Sequence, residues 1–127
     1  MVQNTMHKLR AGQYLSSPDG KHILILQDND GNFVLYSVTS TGVYIPVWAS
    51  GYITNHPADR LEIQDLNNNA LEFYDLTTKY AEIQPYLNSA ELPCRLVLEN
   101  GKRIFLYDNK NTTLWSVGKK IFVFSVF

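Results

Sequence analysis

The sequence predicts an all-β fold, and three observations carry that prediction. Short runs suited to strands recur: Ile23 to Leu26 and Phe33 to Tyr36 are apolar with β-branched or aromatic residues, and Leu61 to Gln64 alternates apolar and polar with period two. Turn-forming stretches separate the runs, notably Ser16-Ser-Pro-Asp-Gly20, Asp30-Gly-Asn32 and Asn100-Gly-Lys102. The plan of strand, polar turn and strand ending in tyrosine then recurs, with Tyr36, Tyr74 and Tyr107 roughly 35 residues apart. No window keeps apolar residues at helical spacing, so the repeat is an array of β units that bury their inner faces against one another.

The elements follow in order. Leu9 to Leu15 reads as a short strand containing Gly12, and Ser16 to Gly20 as a turn. His22 to Tyr36 is a hairpin whose apolar residues are β-branched or aromatic and whose Asp-Gly-Asn tolerates a tight reversal. On its second strand Asn32, Val34 and Tyr36 share one face, Phe33 and Leu35 the other. Val43 to Trp48 is a strand interrupted by Pro46, which places it at a sheet edge or starts it at the proline.

The second unit opens at Tyr52, with Leu61 to Gln64, a polar loop over Asp65 to Asn69, and Ala70 to Tyr74. The third gives Arg95 to Glu99, the Asn100-Gly turn, Arg103 to Asp108 and Leu114 to Ser116.

The chain has 127 residues, the size of one domain that can bury a core without metals or disulfides. Apolar residues make up 45% and charged ones 18%, with Lys plus Arg 11 against Asp plus Glu 12, which excludes a disordered tail and a nucleic-acid binder recognised by charge. No apolar run is long enough for a membrane-spanning helix, and Met1 to Arg10 lacks the core of a secretory signal. Cys94 is the only cysteine, so no internal disulfide forms. Both features make the cytoplasm the expected location.

Leu9-Arg-Ala-Gly-Gln-Tyr-Leu15, then Gln27, Asp30-Gly-Asn32-Phe-Val34-Leu-Tyr36 and Val47-Trp-Ala-Ser50 resemble the first repeat of the bulb-type (monocot-like) mannose-binding lectins, whose repeats read Gln-x-Asp-x-Asn-x-Val-x-Tyr. The resemblance implies a β-prism II, three short antiparallel sheets in pseudo-threefold arrangement. It implies one lectin domain over residues 1–127, with repeats at about 9–51, 52–90 and 91–118 and a C-terminal strand at 119–127. It also implies that Trp48 and Trp115 fill the central core. In the second repeat, matching Pro85 and Ser89 to Pro46 and Ser50 puts Leu87 in the tryptophan's place.

Carried over residue by residue, the family's roles imply that Asp30 and Asn32 bind the axial 2-hydroxyl of mannose. Gln27 would bind the 3-hydroxyl, Tyr36 the 4-hydroxyl, and Val34 would meet ring carbons. The residue types suit a sugar, because its hydroxyls both donate and accept and so need a carboxylate, an amide and an apolar wall. The family has one residue between Gln and Asp; here Asp28 and Asn29 intervene. Either the turn absorbs the extra residue and Gln27 keeps its place, or the alternation continues and Asp28 takes it.

The other repeats are degenerate. With Tyr74 as anchor, the second site retains Gln64, Asn68 and Tyr74 but has Ala70 and Glu72 where Asn and Val belong; shifting by one keeps Asn67, Asn69 and Leu71 and loses the tyrosine. Neither register has the carboxylate. In the third, Glu99, Gly101, Arg103, Phe105 and Tyr107 match, and only the tyrosine survives.

Lys119 to Phe127 is the most apolar stretch and needs burial. The bulb lectins commonly place this strand in a partner's sheet, which implies a homodimer through C-terminal strand exchange. No metal or other cofactor is expected: Asp28-Asn-Asp-Gly-Asn32 lacks the later glutamate of a calcium loop, and His7, His22 and His56 share no ligand spacing. Nothing fixes Asp65, Glu72 and Asp75 at the separation glycoside hydrolysis requires, so an enzyme is not expected. The function read from the sequence is recognition of mannose or mannose-containing glycans through the first repeat. The alternative is a degenerate prism serving as a protein-interaction or assembly scaffold.

Overall fold

A computed structural model describes residues 3–64, 70–76, 78–86 and 90–118. Twelve strands run through these residues: β1 (Thr5–Met6), β2 (Lys8–Arg10), β3 (Tyr14–Ser16), β4 (His22–Leu26), β5 (Phe33–Val38), β6 (Tyr44–Ala49), β7 (Ala58–Ile63), β8 (Leu71–Asp75), β9 (Lys79–Ile83), β10 (Arg95–Glu99), β11 (Arg103–Tyr107) and β12 (Thr113–Val117). They form three antiparallel four-stranded sheets, ordered β3-β4-β5-β6, β2-β7-β8-β9 and β1-β10-β11-β12.

The three sheets repeat one plan. Across the central strand pair, Leu24 faces Leu35, Leu61 faces Phe73 and Leu96 faces Leu106. All six are buried, because period two sends them to the inner face while their neighbours face out. Each sheet then carries a register shift at the same place, between Leu35 and Tyr36, Phe73 and Tyr74, and Leu106 and Tyr107. Such a bulge adds twist and bends the edge strand, which helps short sheets wrap a common axis.

The N-terminal segment stitches the sheets together. Leu9 to Leu15 is not one strand: the chain turns at Gly12, whose φ of +86° suits glycine. Ala11 N–H bonds Asp59 O in the second sheet at 2.9 Å, and Gly12 N–H bonds Leu26 O in the first at 2.8 Å. β1, β2 and β3 thus join different sheets, each placing one apolar residue, Met6, Leu9 or Leu15, in the core. Alternation alone does not reveal the break, since Leu9 and Leu15 have the same parity.

Trp48 stands opposite Leu35 and Trp115 opposite Leu106, their rings 6.2 Å apart. The corresponding partner of Phe73 is Ala81, not Leu87. Leu87 and Ser89 lie outside the described residues. The missing indole volume at Ala81 is met by rings from elsewhere, with Tyr52 5.4 Å, Phe33 5.5 Å and Tyr80 6.1 Å from Phe73. Pro46 sits in the edge strand β6, opposite Tyr36 and beside the bulge, where its missing N–H costs no ladder bond. The C-terminal strand expected at 119–127 lies outside the described residues.

Candidate functional site

The outer face of the first sheet gathers the five residues singled out in the hairpin. Gln27 directly follows β4, and its N–H bonds Asn32 O at 3.0 Å while Gly31 N–H returns to Gln27 O at 3.0 Å. The loop between them therefore absorbs the extra residue, and Gln27 rather than Asp28 faces the site. Gln27 Nε2 donates to both Asp30 oxygens, at 3.0 and 3.2 Å, and Gln27 Oε1 accepts the Tyr36 hydroxyl. Asp30 Oδ1 also accepts the Asn32 N–H at 2.9 Å. Val34 lies between Asn32 and Tyr36 on the same strand face.

Asn32 is held by the residues just after β6. Its Oδ1 accepts the Ser50 hydroxyl and the Gly51 N–H, both at 3.0 Å, and Ser50 Oγ in turn accepts the Phe33 and Tyr52 N–H groups at 3.2 Å. With Oδ1 so engaged, the Nδ2 hydrogens are left for Asn32 to offer a ligand. The Tyr36 hydroxyl donates its hydrogen bond to Gln27 and so offers its oxygen lone pairs; the Asp30 carboxylate keeps acceptor capacity beyond its three bonds. The set presents an anionic acceptor, an amide donor and a phenolic acceptor around a valine, the combination that vicinal hydroxyls on a pyranose require.

The second repeat holds the loop in place. Thr54 N–H bonds Asp30 O at 2.9 Å, Ala58 N–H bonds Asp28 O at 3.2 Å, and the Tyr80 hydroxyl donates to Gly31 O at 2.7 Å. A Cβ on Gly31 would stand 2.8 Å from both Tyr80 Oη and Thr54 Cγ2, so only glycine allows the approach. Burial, reinforced by the charges of Asp30 and Asp75, pushes the Tyr80 hydroxyl up to about 12, which keeps it a donor. Tyr80 and Thr54 carry no motif signal in the sequence; only the Asp-Gly-Asn glycine marks that something comes close.

No protein-family model and no curated protein matches the chain. Solved structures do. A monomeric monocot mannose-binding lectin from Gastrodia elata is 25% identical over 94% of this chain and 100% of that one, with a TM-score of 0.73. A Marasmius oreades lectin is 19% identical over 91% of each chain, TM-score 0.70. The mannose-specific agglutinin of snowdrop (Galanthus nivalis) bulbs, complexed with methyl-α-D-mannoside, is 20% identical over 93% of this chain and 98% of that one, TM-score 0.65.

The chain has the β-prism II fold of these lectins. Its second face keeps the frame of the first but not the chemistry. Gln64 N–H bonds Ala70 O at 2.8 Å, as Gln27 does Asn32, so Ala70 occupies the asparagine's place and Glu72, opposite Glu62, that of Val34. The register anchored on Tyr74 is thus the one adopted. Tyr74 donates to Glu72 at 2.5 Å and lies under the Arg60 guanidinium at 4.1 Å; the Glu72 bond holds its hydroxyl above the usual phenol range. Lys79 pairs with Glu72 at 3.1 Å and Glu82 at 2.5 Å. Asn68 and Asp65 lie outside the described residues.

On the third face of the prism Tyr107 donates to Glu99 at 3.1 Å, the counterpart of Tyr36 on Gln27, while Phe105 stacks on Tyr107 at 5.2 Å where Val34 would be. Arg103, opposite Glu99, replaces the asparagine's neighbourhood with a cation. Among the described residues no group of three or more His, Cys, Asp or Glu is placed to hold a metal ion. Glu72 and Asp75 are spent on Tyr74, Lys79, Thr54 and Thr78.

Proposed function

We propose that the chain is a carbohydrate-binding protein that takes a terminal mannose on the first sheet, through Gln27, Asp30, Asn32, Val34 and Tyr36. The observation that carries this is the convergence of Asp30, Asn32 and Tyr36 around Val34, with Asn32 oriented by Ser50 and Gly51 so that it donates while Asp30 and Tyr36 accept. The Gastrodia elata lectin, which is named for mannose, supports the choice of sugar. An open site that exchanges water bonds for protein bonds binds at small net gain, so a dissociation constant on the order of millimolar is expected.

Titrating methyl α-mannoside, with the galactoside as control, into isotopically labelled protein tests the reading. Amide shifts confined to Gln27 through Tyr36, for mannose alone and lost in Asp30→Ala and Asn32→Ala, support it. Binding that survives both substitutions overturns it.

We propose further that the protein is a homodimer, which would present two sites and raise avidity on a multivalent glycan. Tyr44 and Ile45 of the edge strand β6, with Val43 just before it, leave apolar surface exposed, at 55%, 49% and 56%. Sedimentation of the full chain against one ending at Gly118 tests whether the C-terminal segment is responsible. A second reading, a scaffold without sugar binding, rests on the loss of the donor and acceptor set at Ala70, Glu72, Arg103 and Phe105. It gains if neither sugar shifts any resonance.

A further inference from the structure

Through Val34 of the first site, the outer face of the first sheet carries one apolar row. Ala49, Val34, Ile25 and Tyr14 stand opposite one another on β6, β5, β4 and β3. Opposed residues of antiparallel strands share a face, and a row exposed to water normally carries polar side chains. Along this one Val34 is covered and Ile25 partly so, while Tyr14 is 52% exposed.

At Tyr14 the row meets a groove. There β3 lies against the N-terminal strands, and a space of about 310 Å³ opens with Gln3, Lys8, Gln13 and Tyr14 in its wall. The backbone builds it: Ser16 N–H bonds Gln3 O at 2.8 Å at one end, Gly12 N–H bonds Leu26 O at 2.8 Å at the other. Gln13 Oε1 accepts the Arg10 N–H at 2.9 Å, which fixes the side chain and leaves Nε2 to donate.

An exposed phenol ring beside two amides and an ammonium group suits a pyranose, whose C–H face packs on an aromatic ring while its hydroxyls find donors and acceptors. The volume falls at the small end of ligand pockets. From Val34 to Tyr14 is two strand spacings, about 10 Å, the reach of a short oligosaccharide rather than of one ring.

We propose that this groove is a second saccharide subsite, continuous with the first, in which Tyr14 stacks against a further sugar of the same glycan and Gln13, Gln3 and Lys8 bond its hydroxyls. The inference rests on mannose occupying the first site, and it makes the ligand an oligosaccharide.

Titration calorimetry with methyl α-mannoside and with linear α-linked mannotrioses, on the protein and on Tyr14→Ala and Tyr14→Phe, decides it. At least one trisaccharide is expected to bind about tenfold more tightly than the monosaccharide. Tyr14→Ala should remove that advantage while leaving methyl α-mannoside affinity unchanged, and Tyr14→Phe should keep it. Amide shifts at Gly12 to Tyr14 should follow the trisaccharide only. Equal affinities, or an advantage that survives Tyr14→Ala, overturn the subsite and leave the first site standing. Absence of monosaccharide and trisaccharide binding alike overturns both.

Discussion

The Tyr80 hydroxyl donates to the carbonyl of Gly31 at 2.7 Å, joining residues 49 positions apart in the chain. The loop that carries Asp30 is therefore shaped by a tyrosine of the second repeat. Gly31→Ala puts a Cβ 2.8 Å from Tyr80 Oη at a φ of +77°. It should cost at least about 1 kcal/mol of stability in denaturant unfolding and weaken mannoside binding. Tyr80→Phe leaves the carbonyl without this donor and should cost about 1–2 kcal/mol. If neither variant changes affinity, the second sheet does not shape the site.

Asn32→Asp separates the two roles of that side chain. The new carboxylate can still accept from Ser50 and Gly51, but it has no N–H to donate and stands beside Asp30. Mannoside shifts at Gln27 to Tyr36 should vanish at sugar concentrations that saturate the parent, with the rest of the amide spectrum retained.

Stability should fall on the acid side because of His22. It is 6% exposed, and neither ring nitrogen has a hydrogen-bond partner. Burial pushes its pKa below the ordinary 6.5, against the pull of Asp19 and with the help of Lys102 and Lys21. As pH falls through 6.5 the unfolded chain takes up a proton that the folded one does not, so the folded state loses ground down to the lowered value and no further. Urea unfolding at a series of pH values should show this slope, and His22→Phe should flatten it.

Trp115→Ala should destabilise by about 3–5 kcal/mol through the cavity it leaves. Trp115 is 7% exposed and packs edge-on to Trp48 6.2 Å away, so the remaining indole reports the transition by fluorescence. An unchanged denaturant midpoint would show that the two indoles do not share one core.

Much of the first repeat is legible in the chain. The hairpin, the face shared by Asn32, Val34 and Tyr36, the edge placement of Pro46 and the all-β class follow from period two and turn chemistry, which are local. The features that are not legible depend on distant partners or on backbone bonding. Whether Gln27 or Asp28 faces the site turns on bonds between Gln27, Gly31 and Asn32, two arrangements that alternation alone treats alike. Matching on Pro85 and Ser89 misplaces the missing tryptophan, because β9 at Lys79–Ile83 begins after a turn with little proline or glycine signal.

The sequence by itself determined which side chains of the first hairpin share a face, that three similar units recur, and which repeat keeps both an acid and an amide, Asp30 and Asn32. Tertiary structure alone decided that the N-terminal residues divide among three sheets, that Tyr52 and Tyr80 supply bulk beside Ala81, and that Thr54 and Tyr80 fix the Asp30 loop. The division has one physical reason. Strand periodicity and turn preference act between residues near in sequence, whereas packing and loop shape depend on groups that meet only once the sheets have closed on one another.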